Sequence, residues 1–156
     1  MGAAGPDTGR VGHLPCYGSP RATTPSIDSL AEVADRYLVA RSTSSWTLPS
    51  HASMLTGLYP FHHGAEARLD AATGEVYDAV PLSAGPATLA EVLGREGYLT
   101  AAVVANGGYL GRVFGLARGL RAYSEKRDDA PRRGPAVTRA RGAILRRGDP
   151  AQPFFL

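Results

Sequence analysis

Pro49 and Gly57 bracket the run Ser50-His51-Ala52-Ser53-Met54-Leu55-Thr56, and together they leave it one regular conformation. Proline suits the start of a helix, where its missing N–H has no ladder partner in any case, while the residue before it, Leu48, is biased away from the α region. Glycine takes the left-handed conformation that ends a helix. The spacing therefore predicts a helix beginning at Pro49 and stopping at Gly57, with Thr47 just ahead of its positive end. In such a helix the N–H groups of Ser50 and His51 point out of the start, where the macrodipole favours negative charge. A tetrahedral oxyanion can be held there while the Thr47 hydroxyl attacks it. Spacing alone fits a threonine and serines that cap a short core helix better than it fits catalysis.

The longer stretch Thr47-Leu48-Pro49-Ser50-His51-Ala52-Ser53-Met54-Leu55-Thr56-Gly57, followed by Tyr59, Pro60, His63 and Gly64, resembles the nucleophile motif of the sulfatase family, within the alkaline phosphatase superfamily. That motif is Cys or Ser, any residue, Pro, Ser, Arg, then a turn ending Leu-Thr-Gly. Two positions depart from it. Thr47 stands where the family oxidises Cys or Ser to formylglycine, so no formylglycine is expected here. His51 stands where the family has arginine. Both changes resemble the branch of sulfatase-like hydrolases and transferases that attack directly with a threonine hydroxyl, many of them on phosphate esters. The resemblance implies Thr47 and His51 as catalytic residues and Ser50 as a substrate-binding residue.

Asp7, Thr8, Arg10, His13, Leu14, Cys16, Tyr17 and Gly18 resemble the family's opening segment, in which a strand ends in a metal-binding aspartate. Asp7 is the candidate metal ligand, since carboxylate oxygens suit hard divalent cations; read without the resemblance it is a turn aspartate after Gly5-Pro6. The implied cofactor is a divalent cation, calcium or else zinc or manganese, in a complete site. The family's other metal ligands lie further along than Leu156, and the strand expected before Asp7 is replaced by Met-Gly-Ala-Ala-Gly-Pro, a poor strand. Residues 1–156 are thus expected to form a partial amino-terminal catalytic domain lacking its first strand and its carboxyl-terminal portion.

Between and beyond these segments, helix and strand patterns alternate. Thr24 to Ala34 reads as a capped amphipathic helix with Ile27, Leu30 and Ala31 on one face, followed by a short strand at Tyr37 to Ala40. Ala65 to Gly85 is turn-rich. Thr88-Leu89-Ala90-Glu91 is a capping box opening a helix that ends near Gly97, and Tyr98 to Ala105 is an apolar run suited to a strand buried on both faces. Tyr123 to Pro135 reads as a mobile loop, Val137 to Arg147 as a helix with a charged face, and Pro153 to Leu156 as the start of a strand. The fold class expected is α/β, an alkaline-phosphatase-like parallel sheet flanked by helices, incomplete. Asn106, at the carboxyl end of the Tyr98 strand, lies where parallel sheets bind ligands and is the second candidate substrate-binding residue, though it fits an end-of-strand turn equally well; the family's lysine position is Ala105 here. His62 and His63 read as surface or packing residues with no zinc spacing.

Composition narrows the remaining readings. With 44% hydrophobic and 20% charged residues, a globular domain is expected. No apolar run reaches the about 18 residues of a membrane span, and Met1 to Asp7 show no secretory leader, so a cytoplasmic protein without a membrane partner is expected. The single Cys16 excludes an internal disulfide. Net charge is +3, and Lys126 is the only lysine among 17 basic residues. That composition points to arginine bias over a nucleic-acid surface, and no nucleic-acid partner is expected. The expected partner is a small-molecule sulfate or phosphate ester, hydrolysed weakly or not at all by this chain; nothing in the sequence sets the oligomeric state. The alternatives are a non-catalytic remnant that keeps the packing, and a phosphodiesterase or phosphotransferase of the same superfamily.

Overall fold

The computed structural model describes residues 9–69, 71–73, 76–125, 134–149 and 151–155, so Asp7 lies outside the described residues. Its chain divides into two compact units, Gly5–Ser42 and the chain from Thr43 onward.

In the smaller unit, short 3-10 turns at Val11–His13 and Pro15–Tyr17 precede helix α1, Pro25–Ala31. Asp28, expected only to place charge at a helix start, accepts a hydrogen bond from the Cys16 N–H at 3.0 Å and so ties the second turn to α1. The Tyr17 hydroxyl donates to the Tyr37 carbonyl at 3.0 Å. Two expectations are corrected here. Ile27 and Leu30 are 38% and 61% exposed, so the apolar face of α1 is not buried. Tyr37 to Ala40 forms no strand, because extended, β-prone residues make no ladder without a neighbour to pair with.

The larger unit opens with helix α2, Thr47–Thr56, and a single-turn helix α3, Pro60–His63. A hairpin follows, β1 (Glu66–Leu69) antiparallel to β2 (Val76–Val80), within the stretch read as turn-rich. Helix α4, Leu89–Arg95, carries the expected capping box in full: the Thr88 hydroxyl accepts from the Glu91 N–H and the Glu91 carboxylate accepts from the Thr88 N–H. Strand β3, Leu99–Val104, then enters the sheet. A short helix α5, Gly107–Leu110, and a 3-10 turn, Arg112–Phe114, lead toward β4, Ala122–Glu125. Helix α6, Gly134–Arg147, precedes β5, Phe154–Phe155.

The sheet runs β4-β3-β5, with both outer strands parallel to β3. An α/β architecture with a parallel sheet and flanking helices is what the alternating pattern predicted. The pairing of Leu99 with Phe154 also makes Phe154–Phe155 the strand expected at that end. Tyr123 to Glu125 corrects the reading of a loop from Tyr123 onward; the remainder of that loop, residues 126–133, lies outside the described residues. The Tyr123 hydroxyl donates to the Leu110 carbonyl. Burial first, then the neighbouring Glu125 charge, pushes its pKa up to about 12, with Arg112 opposing. It therefore remains a neutral donor at neutral pH.

Helix α2 lies on the core. Leu48 and Ala52 are fully buried and cluster with Ala65, Leu82, Leu110 and Leu116, with Trp46, Leu55, Val104 and Phe114 packed around them. The helix that carries the candidate nucleophile is thus held from below by apolar contact.

Candidate functional site at the start of helix α2

Helix α2 begins at Thr47, two residues earlier than Pro49 predicts. Trp46 is extended at φ −118°, ψ 148° and its carbonyl accepts the first ladder bond, from the Ser50 N–H at 3.2 Å. Pro49 then falls in the first turn, where a missing N–H still costs no ladder bond. Complete burial of Leu48 outweighs its disfavour for helix before a proline. The consequence is a correction to the anion site. Ser50 N–H is committed to Trp46, and the N–H groups outside the helix's own ladder are those of Thr47 and Leu48. At the other end the expectation holds: Gly57 takes φ 71° and its N–H closes on the Ser53 carbonyl at 2.8 Å.

Thr47 is half-buried at the rim of the core, so its side chain is not sealed among apolar groups. Ser50 and His51 are half-buried as well, on the first turns of the same helix. The His51 ring folds back so that Nδ1 lies 2.8 Å from the Thr47 carbonyl oxygen. A carbonyl only accepts, so Nδ1 carries the proton and Nε2 is the basic nitrogen of neutral His51. Asn106 follows β3 and caps α5, its side-chain oxygen accepting from the Tyr109 N–H at 3.4 Å. Helix α5 packs against α2, and the Trp46 and Tyr109 rings meet edge to face at 5.2 Å. The structure therefore brings the α2 start and the Asn106 segment together. No cluster of three or more His, Cys, Asp or Glu able to hold a metal ion occurs among the described residues.

One polar pair escaped the sequence reading. Ser53 and His63 are 7% and 0% exposed, and Ser53 Oγ lies 3.0 Å from His63 Nε2. The Ala65 N–H donates to His63 Nδ1 at 3.0 Å. His62, by contrast, is exposed and stands beside the Phe61 ring at 4.2 Å between centroids. The two histidines sit on the single turn of α3. Ser53 at a core-facing position of α2 was the available signal, since a buried hydroxyl calls for a partner.

Burial lowers the His63 pKa from its ordinary value of 6.5, with the Pro49 backbone and Glu66 opposing. A histidine that stays neutral in the fold but protonates when unfolded makes the unfolded state bind more protons below that value. Stability is therefore expected to be level above pH 6.5 and to fall as pH drops below it, until the folded-state value is reached. Urea midpoints between pH 7.5 and 5 check this, and His63→Gln should flatten that part of the profile.

Known families give this geometry its context. The sulfatase family profile matches residues 6–142. The chain belongs to the sulfatase family. It is 32% identical over 93 residues to the N-acetylgalactosamine-6-O-sulfatase of Bacteroides thetaiotaomicron, covering 60% of this chain and 17% of that protein. It is 37% identical over 94 residues to human arylsulfatase A, covering 57% of this chain and 17% of the relative. The chain thus spans about a sixth of the length of the curated sulfatases it matches. The crystal structure of a putative sulfatase from Bacteroides thetaiotaomicron superposes with a TM-score of 0.65 at 17% identity, over 93% of this chain and 31% of that one. This sulfatase-family chain therefore has the sulfatase fold across its parallel sheet. Within the described residues no helix is long and apolar enough to cross a membrane.

Proposed function

We propose that residues 1–156 form the amino-terminal, nucleophile-bearing portion of a sulfatase-like hydrolase, in which Thr47 attacks a sulfate or phosphate ester in line. The observation that carries this reading is the placement of Thr47 as the half-buried first residue of α2, a ten-residue helix seated on the core. Its hydroxyl oxygen would bond to sulfur or phosphorus while the bond to the ester's alcohol oxygen breaks. The departing alcohol takes up a proton and Thr47 is left esterified, to be freed by water. His51, with Nδ1–H held by the Thr47 carbonyl, is the proposed acceptor of the hydroxyl proton at Nε2. The positive end of α2 supports an anion at this place, and Ser50 and Asn106 are the proposed contacts to its oxygens.

A divalent cation bound with Asp7 would neutralise developing charge on the ester. The described residues do not furnish such a site by themselves, and no step above depends on it. Relatives named as acting on N-acetylgalactosamine-6-O-sulfate and as arylsulfatases favour a sulfate ester of a small molecule or sugar; threonine in place of Cys or Ser favours the phosphate alternative.

The sole tryptophan, Trp46, lies beside the proposed anion site and supplies a test that does not require turnover. Sulfate, phosphate and tungstate titrations should change its fluorescence saturably, and an aryl sulfate and a bis-aryl phosphate, assayed with calcium, manganese or zinc, should identify the ester class. Absence of both a Trp46 response and any hydrolysis would leave the packing-only remnant as the better reading.

A further inference from the structure

We infer that His63 is a positioning residue for the nucleophile helix, fixing α2 through Ser53 and thereby fixing where Thr47 stands. The inference rests on the reading of Thr47 as nucleophile, but the bonds that carry it do not. A backbone N–H can only donate, so the Ala65 N–H at 3.0 Å makes His63 Nδ1 the acceptor. The proton of the neutral ring is then on Nε2, and it is donated to Ser53 Oγ at 3.0 Å. In this tautomer His63 cannot draw a proton from Ser53, so the pair is not a nucleophile and base. It is a tie between helices.

The tie is anchored at both ends. His63 closes α3, and its carbonyl accepts both the Ser83 N–H at 3.0 Å and the Ser83 hydroxyl at 2.8 Å. Gly64 then turns the chain at φ 75°, which delivers Ala65 back to the ring. Ser53 lies six positions after Thr47 on a continuous helix, so a shift at Ser53 is carried along the rigid ladder to the helix start. Apolar contacts at Leu48 and Ala52 resist lifting of α2 but are non-directional, whereas the His63 bond sets its rotation and axial position.

Protonation opposes this arrangement directly. A proton on Nδ1 would face the Ala65 N–H, donor against donor, inside a fully buried site. Of the charged groups on the surrounding elements, Glu66 on β1 favours that proton; α2 also carries His51 and α3 also carries His62. Acid is therefore expected to release α2 locally before the fold is lost.

Methyl-labelled Thr47 reports this by NMR. In the wild type its signal should move in a one-proton transition below pH 6.5 that shares its midpoint with the His63 ring, while amides of β3 stay in place. Ser53→Ala should displace the Thr47 signal at pH 7 and raise hydrogen exchange at Ser50 to Ser53 by about tenfold or more. His63→Gln, which keeps a donor toward Ser53 and does not titrate, should hold Thr47 near its wild-type position and abolish the transition. A Thr47 signal unmoved in Ser53→Ala overturns the inference. So does an acid transition that survives in His63→Gln, because that variant has nothing to titrate at position 63. Where His63→Gln fails to fold, Ser53→Ala alone decides. If the protein shows neither a Trp46 response to anions nor any ester cleavage but Thr47 responds as described, the positioning role stands and only the nucleophile reading fails.

Discussion

In an active, longer protein that carries this chain, Thr47→Ala is expected to reduce ester cleavage by on the order of 10⁴-fold or more, the scale seen when an attacking group is removed outright. Alanine is a good helix former at the first position of α2 and leaves the buried Leu48 and Ala52 and the neighbouring Trp46 in place. The anion response of Trp46 should therefore persist in the variant, separating binding from chemistry. Thr47→Ser restores an oxygen nucleophile at the same backbone position and should recover most of the rate. His51→Ala should lower the rate less than Thr47→Ala, by about 10² to 10⁴ for a proton acceptor, and His51→Gln should behave likewise while refilling the space beside the Thr47 carbonyl. Turnover measured against an aryl ester, with Trp46 fluorescence on the same samples, checks the series. Equal rates for wild type and Thr47→Ala would remove Thr47 from the mechanism.

How much of this site could be seen in the sequence depends on which interactions are local. Gly57 ends α2 and Thr88 with Glu91 opens α4 as expected, since each signal is satisfied within one turn of its own residue. β3 was legible because a run of Leu99 to Val104 has little other use than a buried strand. The start of α2 was missed because local proline sterics compete there with burial of Leu48, and burial is a property of the whole unit. Tyr37 to Ala40 shows the reverse error, strand propensity without a strand to pair with, and Tyr123 to Glu125 shows strand pairing where flanking polar residues suggested a loop. The Ser53–His63 tie joins residues ten apart in sequence on separate helices, and no periodicity reports such a meeting.

Gly119→Ala is expected to be the most damaging small substitution to stability. Gly119 has φ 75°, and a Cβ there would stand 2.3 Å from the Glu91 nitrogen and 2.6 Å from the Glu91 Cα and Cγ. The colliding atoms are backbone and the root of a side chain, so they cannot rotate away. They also belong to the α4 capping box, whose Glu91 N–H is held by the Thr88 hydroxyl at 3.1 Å. On the other side the Gly119 carbonyl accepts the Thr100 hydroxyl at 2.6 Å, and the preceding Arg118 guanidinium grips the carbonyls of Ser83, Ala84 and Pro86. Relief by moving the turn would therefore break bonds to β3 and to the 83–86 loop together. Left-handed backbone alone costs alanine about 1 kcal/mol, while the clash and the bonds it breaks should bring the total to about 4 kcal/mol or more, a large part of the stability of a typical domain. Gly97→Ala isolates the backbone effect, since Gly97 has φ 83° and nothing within 4 Å of an added Cβ. Urea unfolding should place Gly97→Ala about 1 kcal/mol below wild type and Gly119→Ala several times further down or unfolded at the outset. Similar losses for both would mean that the turn before β4 yields freely and that its close seat on α4 contributes little to holding the sheet.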